Sequence, residues 1–478
     1  MKLTFLDEPE LEFGTAGHHI DIRFGILHFG PLDLSSDLAP KRIRLSIIGA
    51  PNNIEGAREW LERCRHEIPA KASRQPNLFP RFPGFSPDAG FHSTLVLDSV
   101  LQGGIAATTF QTLASKGNRE ALIRDSVEHF LAELSRLKER SQTDVALCAV
   151  PPELVQLLDA DPIPRHGRRS RQQLNFHDLL KARAMAIGLP IQLILPSTYD
   201  PATRRKQKMR PDRIRQLQDE ATRAWNLHAA LYYKAGGLPW RLIRDPTQLT
   251  TCFVGVSFFA SLDRSHLLTS MAQIFDERGD GIVVRGAPVE LQKHDRTPHL
   301  SEDDANALLT DALGRYRQEH RTLPARAVVH KTSSFNDAEM AGFSSAVRSA
   351  KLDSLDLLSE VGGDPPRLFR NGAYPPLRGM LLELDTRTHL LYTRGSVDFF
   401  ATYPGMYVPR PLVFRTDMAE QTPKHLAREI LALTKMNWNH TQFDAGHPIT
   451  LEAARKVGSI LRYLPQEALV ATRYSYYM

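Results

Sequence analysis

The sequence predicts an α/β protein made of two successive units. Three observations predict it. The first half alternates strand and helix patterns, the pattern restarts after about Leu249, and the second half groups mixed strands ahead of covering helices. A chain of 478 residues, 42% of them hydrophobic, is long enough for cores of that size.

The elements follow in order. Residues 1–40 read as a strand-rich extension, short strands joined by Gly turns, with Phe24-Gly25-Ile26-Leu27-His28-Phe29-Gly30-Pro31 typical of them. Residues 41–245 form the first unit. Its opening strand is Arg42 to Ile48. A turn at Pro51-Asn52-Asn53 and a helix from Ile54 to His66 come next. After the Pro- and Phe-rich loop 73–92, a helix from about Arg119 to Arg140 leads to the apolar strand Val145 to Val150. Asn175 caps a helix that Gly188 and Pro190 stop, and Asp178 is placed to reach back as in a capping box. The strand Leu189 to Leu195 carries Gln192 among aliphatic neighbours, so its amide needs a partner. A helix through Ala229 to Lys234 ends at Gly236-Gly237.

Residues 246–478 form the second unit. Strands are predicted near 252–259, at Gly281 to Arg285, Arg326 to His330, Met380 to Leu384 and Leu390 to Thr393. Helices are predicted at Glu302 to His320, Asn336 to Ala350, Pro423 to Thr434 and Ile449 to Arg462. This order suits an RNase H-like layer. In nucleases of that type a strand such as Cys252-Phe253-Val254-Gly255-Val256-Ser257 carries a metal-binding aspartate. Here the position is Ser257.

Composition narrows the function. The net charge is +6 and the isoelectric point about 9.1, which leans toward an anionic partner. Two basic clusters, Arg165 to Arg171 and Arg204 to Arg210, are suited to a nucleic-acid backbone; Arg168, Arg169, Arg171, Arg204 and Arg205 are the candidates. Cys64, Cys148 and Cys252 are three and widely spaced, which fits reduced thiols in a cytoplasmic protein. The N-terminus has no apolar run suited to a signal peptide, and no run of about 18 apolar residues predicts a membrane span.

The ordered set His177, Lys181, Gln192 and Lys234, the last just before Gly-Gly-Leu-Pro-Trp, resembles the MID domain of Argonaute proteins. The resemblance implies a pocket for the 5′-phosphate of a guide strand. Ammonium and amide donors converge on the phosphate, and the His177 ring stacks on the first base. Tyr or Arg is commoner at that position. Residues 246–478 resemble the PIWI domain of the same family, which makes 41–245 the Rossmann-like MID domain. The resemblance is strongest from about residue 130 onward. Cutting members place carboxylates or a His where this chain has Ser257, Thr332 and Arg455. Two-metal cleavage needs clustered carboxylates, so no cutting is expected. Asp263, Asp276, Asp280 and Asp398 are the carboxylates a relocated site would draw on.

The chain is thereby similar to short prokaryotic Argonautes. That likeness implies a sensor loaded with a short 5′-phosphorylated guide RNA. It would recognise single-stranded DNA of invading plasmid or phage and activate an APAZ-containing effector, sirtuin-like or TIR, that depletes NAD. It also implies a Mg²⁺ ion beside the guide phosphate, held by an inward-turned carboxylate of Met478; a packing role for Met478 is the alternative. Two other functions stay open at this point: an active guide-directed nuclease, and an interaction scaffold with a vestigial pocket.

Overall fold

A computed structural model describes residues 1–158, 174–203, 218–243, 247–262, 267–275, 281–286, 289, 297–405, 408–443, 445–465, 468 and 470–478. None of its helices is long and apolar enough to cross a membrane, among the described residues.

The first sheet is wholly parallel. Its strands lie in the order Thr94–Val96, Arg42–Gly49, Val145–Ala149, Ile191–Ile194, and Gln102–Gly104 also pairs with Arg42–Gly49. Both faces are covered, which explains the unbroken apolar run at Val145–Ala149. Val145, Leu147 and Ala149 enter one core, with Trp60 and Trp225. Ala146 and Cys148 enter the other, with Phe130 and Phe176.

The second sheet has nine strands. From one edge its strands are Gly281–Arg285, Leu267–Phe275, Thr251–Ala260, Arg326–Lys331 and Ser354–Glu360, in that order. The first three form an antiparallel meander, and the last two run parallel to the third. This is the RNase H-like arrangement the sequence predicted. Leu412–Met418, Thr388–Leu391, Met380–Glu383 and Lys2–Phe5 extend it by antiparallel pairing. The first residues of the chain therefore add an edge strand to a sheet built from residues 251–418.

Some expectations needed correction. Ile22–Phe29 is a helix where a strand was read. Asp21 caps it by accepting from the amides of Arg23 and Phe24, and Gly30 ends it at φ 70°. Pro51-Asn52-Asn53 is the first turn of the helix Pro51–Arg63, not a separate turn. Ser354–Glu360 and Leu412–Met418 escaped the sequence reading. Charged residues interrupt both: Asp356 in the first, Arg415 and Asp417 in the second. Asp356 is fully buried, yet it is satisfied. It accepts from Arg326 at 2.6 Å and from the amides of Glu420 and Gln421 at 2.7 and 3.1 Å.

Gly255 sets how the helix Ile449–Leu461 lies on the second sheet. A Cβ built there would stand 2.0 Å from the carbonyl oxygen of Thr450, a clash with main chain that no rotamer relieves. The Thr450 hydroxyl also bonds His330 Nδ1 at 2.8 Å on the neighbouring strand. Gly255→Ala should therefore cost about 1–3 kcal/mol through overpacking, read as a lower midpoint in urea unfolding.

Candidate nucleic-acid interface

The site begins with a capped helix. Asn175 accepts from the amide of Asp178 at 3.1 Å and opens the helix Phe176–Ala184; Gly188, at φ 69°, closes the turn after it. Phe176, Leu179 and Leu180 are buried. That leaves His177 and Lys181, one turn apart, facing the second unit. Asp178 does not complete a capping box. Its Oδ1 instead accepts from His177 Nδ1 at 2.7 Å and from Lys456 Nζ at 2.6 Å.

Lys181 and Lys234 reach the same place from different helices. Lys181 is 2% exposed and donates to the main-chain oxygen of Tyr477 at 3.2 Å. Lys234, in the last turn of Glu220–Lys234, is 4% exposed. It donates to Gln192 Oε1 at 2.5 Å and to the main-chain oxygen of Met478 at 3.0 Å. Gln192 thus finds the partner its apolar setting demanded. The four predicted residues are brought together, and the chain's last residues form one wall.

Lys456 was missed by the sequence reading. It comes from the helix Ile449–Leu461 of the second unit, so only tertiary packing places it beside His177 and Asp178. Lys456 bonds Asp178, the Lys181 charge also interacts with that carboxylate, and Lys234 bonds Gln192 and Met478 instead. Burial, and then the charges of Lys234 and Lys456, push Lys181 well below the usual lysine range. Burial, with the charge of Lys456, lowers Lys234 to about 7. Burial and the Lys181 charge lower His177 to about 3, so its ring is neutral at neutral pH.

Such a cluster is built for an anion. Removing buried ammonium groups from water is costly unless a counter-charge arrives, and a phosphate supplies both charge and acceptors. The expected Mg²⁺ would draw on the terminal carboxylate of Met478, one oxygen of which is bonded to Lys234, and on Asp178, one oxygen of which is bonded to Lys456.

The second unit's strand ends hold the other candidates. Val256 pairs with Lys331, and Lys331 with Ser359, on three adjacent parallel strands. The next residues, Ser257, Thr332 and Glu360, therefore stand in one row, and the amide of Thr332 donates to the Val256 oxygen at 3.1 Å. Glu360 was not anticipated, because its strand was not. Arg455 spans to it from the covering helix, 2.8 Å from Oε2, and His447 lies 3.3 Å from the same oxygen. Burial alone would raise Glu360, but the bond to His447 and the Arg455 charge outweigh it and hold the carboxyl below its ordinary range. Asp398 lies exposed in a short 3₁₀ turn. Asp263, Asp276 and Asp280, and the basic residues Arg168, Arg169, Arg171, Arg204 and Arg205, lie outside the described residues. No group of three or more His, Cys, Asp or Glu side chains is placed to hold a metal, among the described residues.

No family model matches the chain, and no curated relative does. Solved structures do. The chain is similar to Clostridium butyricum Argonaute bound to a guide DNA and a 19-mer target DNA, with TM-score 0.63 and 14% identity over 98% of this chain and 53% of that one. It is also similar to A. aeolicus Argonaute, with TM-score 0.60 and 14% identity over 98% and 54%. A further match is Aa-Ago with externally bound siRNA, with TM-score 0.59 and 15% identity over 100% and 56%. The fold is Argonaute-like, and the chain spans about half the length of these structures.

The lowered Lys234 gives a proton signature. Without a ligand, stability gained from Lys234 is fully present above the ordinary lysine pKa and is lost as pH falls through about 7. A bound phosphate should restore the proton. Binding of a 5′-phosphorylated oligonucleotide at pH 8 should take up close to one proton or more, and affinity should fall as pH rises above about 7. Calorimetry in buffers of different ionisation enthalpy measures the uptake; pH-independent affinity would exclude it.

Proposed function

We propose that this chain binds the 5′-phosphorylated end of a short guide RNA and pairs that guide with complementary single-stranded DNA without cutting it. The observation that carries this reading is the convergence of Lys181, Lys234 and Lys456 with Gln192 on one buried point beside the neutral His177. Three lysines meet two carboxylates there, Asp178 and the terminal carboxylate of Met478, and a terminal phosphate would add charge and acceptors for the remaining donors. The similar Clostridium butyricum protein was solved with a guide and a target strand, which supports the same class of ligand here.

The non-cutting part rests on the row Ser257, Thr332 and Glu360. Two of its three members are hydroxyls. The third is a carboxylate already bonded to a guanidinium, with an imidazole beside it. A pair of divalent cations needs several free carboxylates. Recognition then calls for an output elsewhere. The sequence resemblance assigns it to an APAZ-containing partner in the cytoplasm, sirtuin-like or TIR, that depletes NAD when invading DNA is detected.

Purified protein should carry short 5′-phosphorylated RNA. Lys181→Ala with Lys234→Ala should abolish that loading, and each lost phosphate contact should flatten the salt dependence by about one unit of slope. Undiminished loading would overturn the assigned pocket. Guide-directed cleavage of complementary DNA or RNA with Mg²⁺ or Mn²⁺ would overturn the non-cutting assignment.

A further inference from the structure

The parallel sheet of the first unit contains a reversal that the phosphate pocket does not use. From Arg42–Gly49 the chain passes through Pro51–Arg63 to the neighbouring strand Thr94–Val96 on one side. Val145–Ala149 lies on the other side and leads on to Ile191–Ile194. Helices leaving the two central strands diverge at such a reversal, and a crevice opens beyond the strands' carboxyl ends. A cavity of about 660 Å³ occupies that place. Its floor is Ala50, Pro151 and Pro196, which stand one or two residues beyond the ends of three of the strands. The volume lies in the ordinary range for small-ligand sites.

The walls are aromatic and carry hydrogen-bonding groups. Tyr199 packs on Gly56, where a Cβ would stand 2.8 Å from its ring. Its hydroxyl accepts from Asn53 Nδ2 at 2.9 Å, which leaves its own proton to donate. Trp60, 5% exposed, lines the cavity, and its buried indole N–H has no partner among the described residues. No side chain caps the first turn of Pro51–Arg63, so the helix presents uncapped main chain at Asn52. Gln111 adds a further amide at the rim.

Charge decides the class of ligand. Among the described residues, Glu59, Glu153 and Asp200, the last already accepting from Ala202 and Thr203, line the cavity with one cation, Arg63, whose guanidinium is 3.1 Å from Glu220. Three carboxylates oppose a phosphate. They suit hydroxyl donors, as acidic residues do with a ribose in sites of this topology. We propose that this cavity is a second ligand site that takes an unphosphorylated nucleoside, its base against Tyr199 and Trp60 and its sugar toward the carboxylates. The site shares no residue with the Lys181 and Lys234 pocket and does not rest on that pocket's function.

The probe is 2-aminopurine riboside, whose fluorescence is quenched by stacking. Saturable quenching with a Kd below about 1 mM is expected. Adenosine, guanosine, cytidine or uridine should displace it, and the matching 5′-triphosphate should compete at least about tenfold less well. Asn52→Trp and Gln111→Trp each plug the cavity from an exposed position and should abolish quenching. Both should melt as the parent chain does and bind a 5′-phosphorylated oligonucleotide unchanged. No saturable quenching, equal competition by triphosphates, or undiminished quenching in both plugged variants would overturn the assignment. Should one plugged variant unfold, the other decides.

Discussion

The seating of Lys181 and Lys234 beneath the main-chain oxygens of Tyr477 and Met478 is the contact on which the proposed site depends. It joins two helices of the first unit to the end of the second. Each ammonium keeps only a few polar partners in exchange for water, and Lys456 arrives from the second unit to add a third charge. Burial of like charges is unfavourable in the free protein. The lowered pKa of Lys234 records that cost, and the proposed phosphate would relieve it.

The strand-end row is organised by a different balance. Glu360 sits where a metal-binding carboxylate would be useful, but Arg455 and His447 approach the same oxygen. The guanidinium supplies a fixed positive charge at that point. The same covering helix carries Lys456 one residue later, toward Asp178 and the first unit. One helix thus serves both places, and its height above the sheet is fixed where Thr450 lies against Gly255.

Legibility in the sequence followed local signals. Glu302–His320 and Arg119–Arg140 were read to the residue, because Ser301 and Asn118 cap their starts and apolar periodicity fills them. Ser354–Glu360 was not, because a buried Asp356 contradicts the pattern of a core strand until Arg326 is known to meet it. Ile22–Phe29 was read as extended, because its Gly-rich alternation outweighed the Asp21 cap. At the site, His177, Lys181, Gln192 and Lys234 were legible as an ordered set. Lys456 and Glu360 were not, since each acts across elements far apart in the chain.

The sequence by itself determined the α/β plan, the ordered set His177, Lys181, Gln192 and Lys234, and the hydroxyls at Ser257 and Thr332. These depend on periodicity, capping and residue type, which are local. The tertiary structure alone decided that Lys2–Phe5 adds an edge strand to the second sheet, that Lys456 and Tyr477 join Met478 beside the four residues, and that Arg455 bonds Glu360. The reason is physical. Buried charges are tolerated only where partners from distant segments meet them, and no local pattern specifies which segments those are.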